Sequence, residues 1–153
     1  MAYLPKSNEH FGKKEIVPRN LYSNDLLLLR DGHCFRNSIE NLCFDCSEYV
    51  GKFELKSGSF ETLVNLVDQN LGTTFLPYLH TLKLNEDQKE MLHNFKNPKP
   101  AREVSLVYHK SEVKIHIIDE IKKLLFRVTK QKLHFSDVNI ISPIKNREAK
   151  RFT

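Results

Sequence analysis

The sequence holds no tryptophan, five glycines and three cysteines in 153 residues. It also lacks any apolar run of the roughly 18 residues that a membrane-spanning helix needs. No basic-then-apolar leader occurs, so a secretory signal is not expected. An odd cysteine count argues against a secreted disulfide scaffold and fits a cytoplasmic chain whose thiols react transiently. There are no paired carboxylates, no phosphate-cradling glycine loop, no Ser–His–Asp order, no internal repeat and no low-complexity run. The chain therefore reads as a non-enzyme with no cofactor and no membrane association. Helix-turn-helix and zinc-finger spacings are missing too. The net charge of +5 is concentrated in the last third, at Lys110, Lys114, Lys122, Lys123, Arg127 and Lys130 among others, and reads as a solvated basic surface.

What is present is a hydrophobic fraction of 40%, enough for one core, and one chemically distinctive stretch. Residues 26–29 are an apolar run short enough for a buried strand. Asp31-Gly32 then signals a turn, and Ile39, Leu42, Cys43 and Cys46 follow at helical spacing. Cys34 thus falls near the start of a helix leaving the end of a strand. Unpaired backbone N–H groups and the macrodipole favour an anion there. With His33 and Arg36 beside it, Cys34 has surroundings that favour a reactive thiolate.

In a continuous helix, Cys34 and Cys43 are separated by a rise of about 13 Å. Disulfide-bonded Cα atoms lie within about 7 Å. Bonding the two would require the helix to unwind, whereas the bland reading makes both cysteines small buried hydrophobes. Cys43-Phe44-Asp45-Cys46 is a C-x-x-C pair, and His33, Cys34, Cys43 and Cys46 together could form a four-ligand zinc set. Two adjacent ligands and a pair on one helix strain a tetrahedron. The remaining histidines, such as His10, His80, His93 and His109, show no ligand spacing.

Elsewhere, residues 1–19 read as an extended piece followed by loop, and residues 52–55 as a short strand. Ser59 suits a helix N-cap, with an apolar face at Leu63, Val64, Leu66, Val67 and Leu71 and Gly72 just past the helix end. Residues 73–76 form a buried strand that Pro77 stops. This strand–helix–strand alternation predicts an α/β lobe with a largely parallel sheet. A helical turn and then a strand are expected over 84–95, a loop over 97–100, and a strand over 102–109 from alternating Val104, Leu106 and Tyr108. Ile115, Ile118, Ile121, Leu124, Leu125 and Val128 mark a helix. Residues beyond 130 read as a tail.

Gly32-His33-Cys34-Phe35-Arg36 with a second cysteine at Cys43 resembles the redox loop of the peroxide-sensing LysR-type transcription regulators. The likeness continues through Ser59-Phe60-Glu61-Thr62-Leu63, Gly72-Thr73-Thr74-Phe75-Leu76-Pro77 and Arg102-Glu103-Val104-Ser105-Leu106-Val107-Tyr108, in that family's order. It implies a periplasmic-binding-protein-like effector domain with its second lobe complete and its first lobe partial. Residues 1–19 would end a first-lobe segment and cross over, and 20–98 would be the second lobe. Residues 99–128 would return to the first lobe, and 129–153 would be a basic tail. The helix near 115–128 would then lack part of its packing surface.

The resemblance also implies the chemistry. Cys34 would react with hydrogen peroxide and Cys43 would resolve it as a reversible disulfide, with His33, Arg36 and Asn37 around the peroxide or thiolate. Asn37 stands where the family often carries Asp, and Lys52, Phe53 and Glu54 where it uses a histidine. Two threonines that the family uses lie in the first lobe. Implied partners are further copies in a homodimer or tetramer, or full-length relatives, with DNA reached only through a domain outside this chain. A thiol oxidoreductase or peroxidase, the zinc module, and a ligand-binding lobe with incidental cysteines stand as alternatives.

Overall fold

The computed structural model describes residues 1–21, 25–30, 33–42, 58–111, 113–130, 133 and 138–141. Their core is a five-stranded sheet in the order β2-β5-β1-β4-β3, built from β1 (Ala2–Tyr3), β2 (Glu15–Ile16), β3 (Leu26–Leu27), β4 (Thr73–Phe75) and β5 (Leu92–Phe95). β2 runs parallel to β5 and β3 parallel to β4, but β1 lies between those pairs antiparallel to both. The sheet is therefore mixed rather than largely parallel. Its central strand lies in the stretch that reads as an extended piece at the start of the chain, although two residues are too few to show the period of a strand. Ala2, Tyr3 and Leu4 are fully buried there.

Residues 26–29 are buried along their whole length, as the apolar run predicts. Helix α1 (Cys34–Leu42) follows β3, and α2 (Phe60–Asp68) covers the sheet with Leu63, Val64 and Val67. α2 begins after Ser59 as expected, although the Ser59 hydroxyl donates to Glu61 instead of capping a backbone N–H. Asn70, at φ 60°, makes the left-handed turn out of α2. Asn70 N–H donates to the Val67 carbonyl at 2.9 Å and Leu71 N–H to the Leu66 carbonyl at 3.0 Å, the paired closure of a Schellman end. Gly72 is needed for a different reason. Its φ is +156°, and a Cβ there would lie 2.2 Å from the Asp25 carbonyl oxygen. The same carbonyl accepts the Thr73 N–H at 2.8 Å, which fixes β4 against the start of β3.

A short α3 (Tyr78–Thr81) follows Pro77, and α4 (Glu86–Glu90) starts at an Asn85–Gln88 capping box and leads into β5. Tyr3 ties three elements together from the sheet centre. Its hydroxyl donates to Asp68, which also accepts from Gln88 Nε2 at 2.9 Å. Burial and the Asp68 carboxylate hold this phenol well above its usual pKa.

The strand expected over 102–109 is not formed. A strand instead occupies β6 (Lys99–Ala101), where the sequence reads as loop, and pairs in parallel with β7 (Val138–Ile140) from the supposed tail. A strand needs a ladder partner, and one for β6 arrives from nearly forty residues away. α5 (Ile115–Lys130) forms over the expected residues, yet its apolar side chains stay largely exposed. No helix among the described residues is long and apolar enough to cross a membrane. The expected strand at 52–55 and residues Cys43 and Cys46 lie outside the described residues.

Gly72→Ala should lower the urea midpoint by an amount equivalent to about 2 kcal/mol or more, because both the positive φ and the Asp25 carbonyl oppose a methyl group. An unchanged midpoint would mean that β3 and β4 do not approach as described.

Candidate functional site

β3 and the two residues after it end in a buried position, and the chain turns through His33 into α1. Cys34 is the first helical residue and is exposed. Residues at this position have backbone N–H groups without intrahelical acceptors. His33 answers one of them: its Nδ1 accepts the Phe35 N–H at 3.2 Å. That role fixes Nδ1 as the unprotonated nitrogen. The His33 carbonyl accepts the Asn37 N–H at 3.4 Å, closing the first turn, while the Ser38 hydroxyl donates to the Cys34 carbonyl at 3.1 Å.

The two cations near Cys34 divide the work. Arg36 Nε donates to Glu40 at 2.9 Å and its Nη1 to the Leu29 carbonyl at 3.1 Å, so it pins α1 to the end of the buried run. Arg102 is the guanidinium that reaches the sulfur: its Nη2 lies 3.7 Å from Cys34 Sγ. The same guanidinium stacks on the Phe35 ring, 5.2 Å from the centroid, a favourable cation–π placement. Phe35 is buried and meets Phe60 edge-on at 5.1 Å, and Phe60 also meets the His33 and His80 rings. An aromatic cluster thus holds a cation over an exposed thiol.

Of the residues singled out from the sequence, His33, Cys34, Arg36 and Asn37 lie together in the first turn of α1. Cys43 and Cys46 fall outside the described residues, so the four-ligand zinc set is not described as a whole. Among the described residues no group of three or more metal-ligating side chains occurs. Arg102 carried no assigned role in the sequence. The available signal was its place at the head of 102–108, a stretch already set apart by its likeness to the LysR regulators.

The mixed α/β fold is periplasmic-binding-protein-like, and the chain belongs to the LysR substrate-binding-domain family, whose model matches residues 2–124. In particular, it is 31% identical over 134 residues to the Hydrogen peroxide-inducible genes activator of Haemophilus influenzae, covering 80% of this chain and 44% of the relative. It is also 31% identical over 99 residues to the DNA-binding transcriptional dual regulator OxyR of Escherichia coli, over 64% of this chain and 32% of the relative. The HTH-type transcriptional regulator EstR of Acinetobacter baylyi is 35% identical over 108 residues, covering 68% of this chain and 35% of the relative. Among solved structures, OxyR from Porphyromonas gingivalis superimposes with a TM-score of 0.77 at 25% identity, over 92% of this chain and 64% of that one. Its reduced form gives 0.74 at 27% identity, over 91% and 64%. The chain spans less than half the length of the curated relatives it matches.

Arg102→Gln should slow alkylation of Cys34 by iodoacetamide about two- to fivefold, the scale of one exposed charge contact. Arg36→Gln should change the rate less while lowering helix stability. Equal slowing by both, followed by quenched-flow labelling, would remove the distinction between the two arginines.

Proposed function

We propose that this chain is part of the redox-sensing regulatory domain of an OxyR-like, LysR-type activator that responds to hydrogen peroxide through a reversible Cys34–Cys43 disulfide. The observation that carries the reading is an exposed cysteine at the first position of α1 with the Arg102 guanidinium on its sulfur. The Cys34 thiolate attacks one peroxide oxygen, the O–O bond breaks, and hydroxide leaves as Cys34 becomes a sulfenic acid. Cys43 then displaces the second hydroxyl as water, so two thiols and one peroxide become one disulfide and two waters. Arg102 steadies the thiolate, His33 lies within reach of the leaving hydroxide, and Asn37 and Arg36 hold the turn.

α1 supplies the switch. Its first and last residues, Cys34 and Leu42, are separated by a rise of about 12 Å, and neighbouring Cα atoms lie only about 3.8 Å apart. Cys43 follows Leu42 directly, so its Cα cannot come nearer to Cys34 than about 8 Å while α1 is intact, beyond the reach of a disulfide. Forming the bond therefore unwinds α1. In this assignment, residues 20–98 belong to the second lobe, 1–19 and 99–128 to the first, and 129–153 to a basic tail. DNA is reached through an attached DNA-binding domain, and the protein works as an oligomer.

Peptide mapping of the reduced chain after one equivalent of peroxide should recover a Cys34–Cys43 disulfide. Cys43→Ser should leave a Cys34 sulfenic acid that dimedone traps, and Cys46→Ser should leave the disulfide intact. Stoichiometric zinc in the reduced protein would favour the metal module instead. Consumption of many peroxide equivalents per chain with a thiol reductant would favour a peroxidase.

A further inference from the structure

Arg102 is held at two ends. Its guanidinium rests on the Phe35 ring and reaches Cys34 Sγ at 3.7 Å, while its backbone leaves the end of β6. Residues 102–109 are exposed and form no helix or strand, so the chain beyond Arg102 adds no regular support. On the near side, the Ile141 N–H donates to the Ala101 carbonyl at 2.8 Å. That carbonyl belongs to the same planar peptide as the Arg102 nitrogen. The Ile141 hydrogen bond therefore orients the peptide from which Arg102 starts. We infer that Ile141 is a positioning residue for Cys34. With β7 it forms a strap whose attachment to β6 keeps the Arg102 guanidinium on the sulfur and whose release withdraws it.

The strap is the part of this arrangement that opens most readily. β6 and β7 form a two-stranded sheet apart from the five-stranded one, registered from Lys99 on Val138 to Ala101 on Ile140. All three residues of β7 are exposed, so ladder hydrogen bonds rather than core burial hold it. A two-stranded ladder of this kind is marginal in water, and it opens at a lower free energy than the buried sheet. Drawing β7 away thus lowers the reactivity of a sulfur whose own helix is undisturbed. The regulatory meaning rests on the peroxide chemistry proposed for Cys34. The positioning does not, and alkylation tests it separately.

In the whole reduced chain, Ile141→Pro removes the N–H while favouring extended backbone before it. It should slow iodoacetamide labelling of the Cys34 peptide about two- to fivefold, matching Arg102→Gln. Ile141→Val, which keeps the N–H, should label at the original rate. The variant combining Ile141→Pro with Arg102→Gln should be no slower than Arg102→Gln alone. At about pH 10, above the usual thiol pKa, all of these should label alike, because ionisation and not access has changed. An unchanged rate in Ile141→Pro overturns the proposal, and so does slowing that adds to Arg102→Gln or persists at that pH. A second measurement needs no substitution: urea below the global transition should speed hydrogen exchange at the Ile141 amide and slow Cys34 labelling together. Faster exchange at a constant labelling rate overturns the proposal equally. Absence of a Cys34–Cys43 disulfide after peroxide would count against the proposed function and not against the strap.

Discussion

The chemistry of this chain depends on where a buried run of backbone stops. Residues 26–29 lie inside the core, and β3 is registered against β4 through the contact between Asp25 and residues 72–73. The Leu29 carbonyl at its end takes an N–H of Arg36. That hydrogen bond sets both the position and the direction of α1. Because α1 starts so close to the sheet edge, Cys34 emerges at the surface while Phe35, the next residue, turns inward. One step of a helix is enough to separate an exposed sulfur from a buried ring.

The ring explains why the cation stays. A guanidinium on an exposed thiol alone would be weakly held, for solvent screens such contacts and side-chain entropy opposes them. Arg102 instead rests on Phe35, and Phe35 on Phe60 of α2. Arg102 follows β6 directly, and β6 is held by β7. The contact at Cys34 thus joins a helix of the sheet domain to a segment whose own pairing comes from the far end of the chain.

That long reach marks the limit of what the residues alone reveal. Local signals are faithful: the 3.6-residue period of α5, the start of α2 after Ser59, the β-branched run of β4 and the helical turn before β5 all appear where the sequence puts them. Non-local choices were not readable. Val104, Leu106 and Tyr108 alternate as a strand should, but residues 102–109 form none, while Lys99–Ala101 pairs although Pro100 lacks an N–H. A proline is tolerable in a two-stranded ladder, whose outer edges need no donor. β1 is short enough to escape any pattern, although it fills the centre of the sheet. At the site, the sequence picked out the four residues of one helical turn; it could not see that Arg102, distant along the chain, would lie closer to the sulfur's chemistry than Arg36 does.

On the proposed reading, the energetics of α1 favour a switch that rests in the reduced form. Unwinding takes Phe35 and Ile39 out of the core, and two such side chains are worth together about 3–6 kcal/mol. It also withdraws the ring beneath Arg102, so the cation that promoted the first oxidation leaves the sulfur once the second bond forms. A covalent bond can hold that costlier arrangement, whereas the sulfenic acid, which leaves the helix free to stay wound, has no comparable means. Reduction of the disulfide releases the only constraint against the helix, and Phe35, Arg102 and Cys34 return to one another together. Sensing and resetting are then two consequences of the same packing.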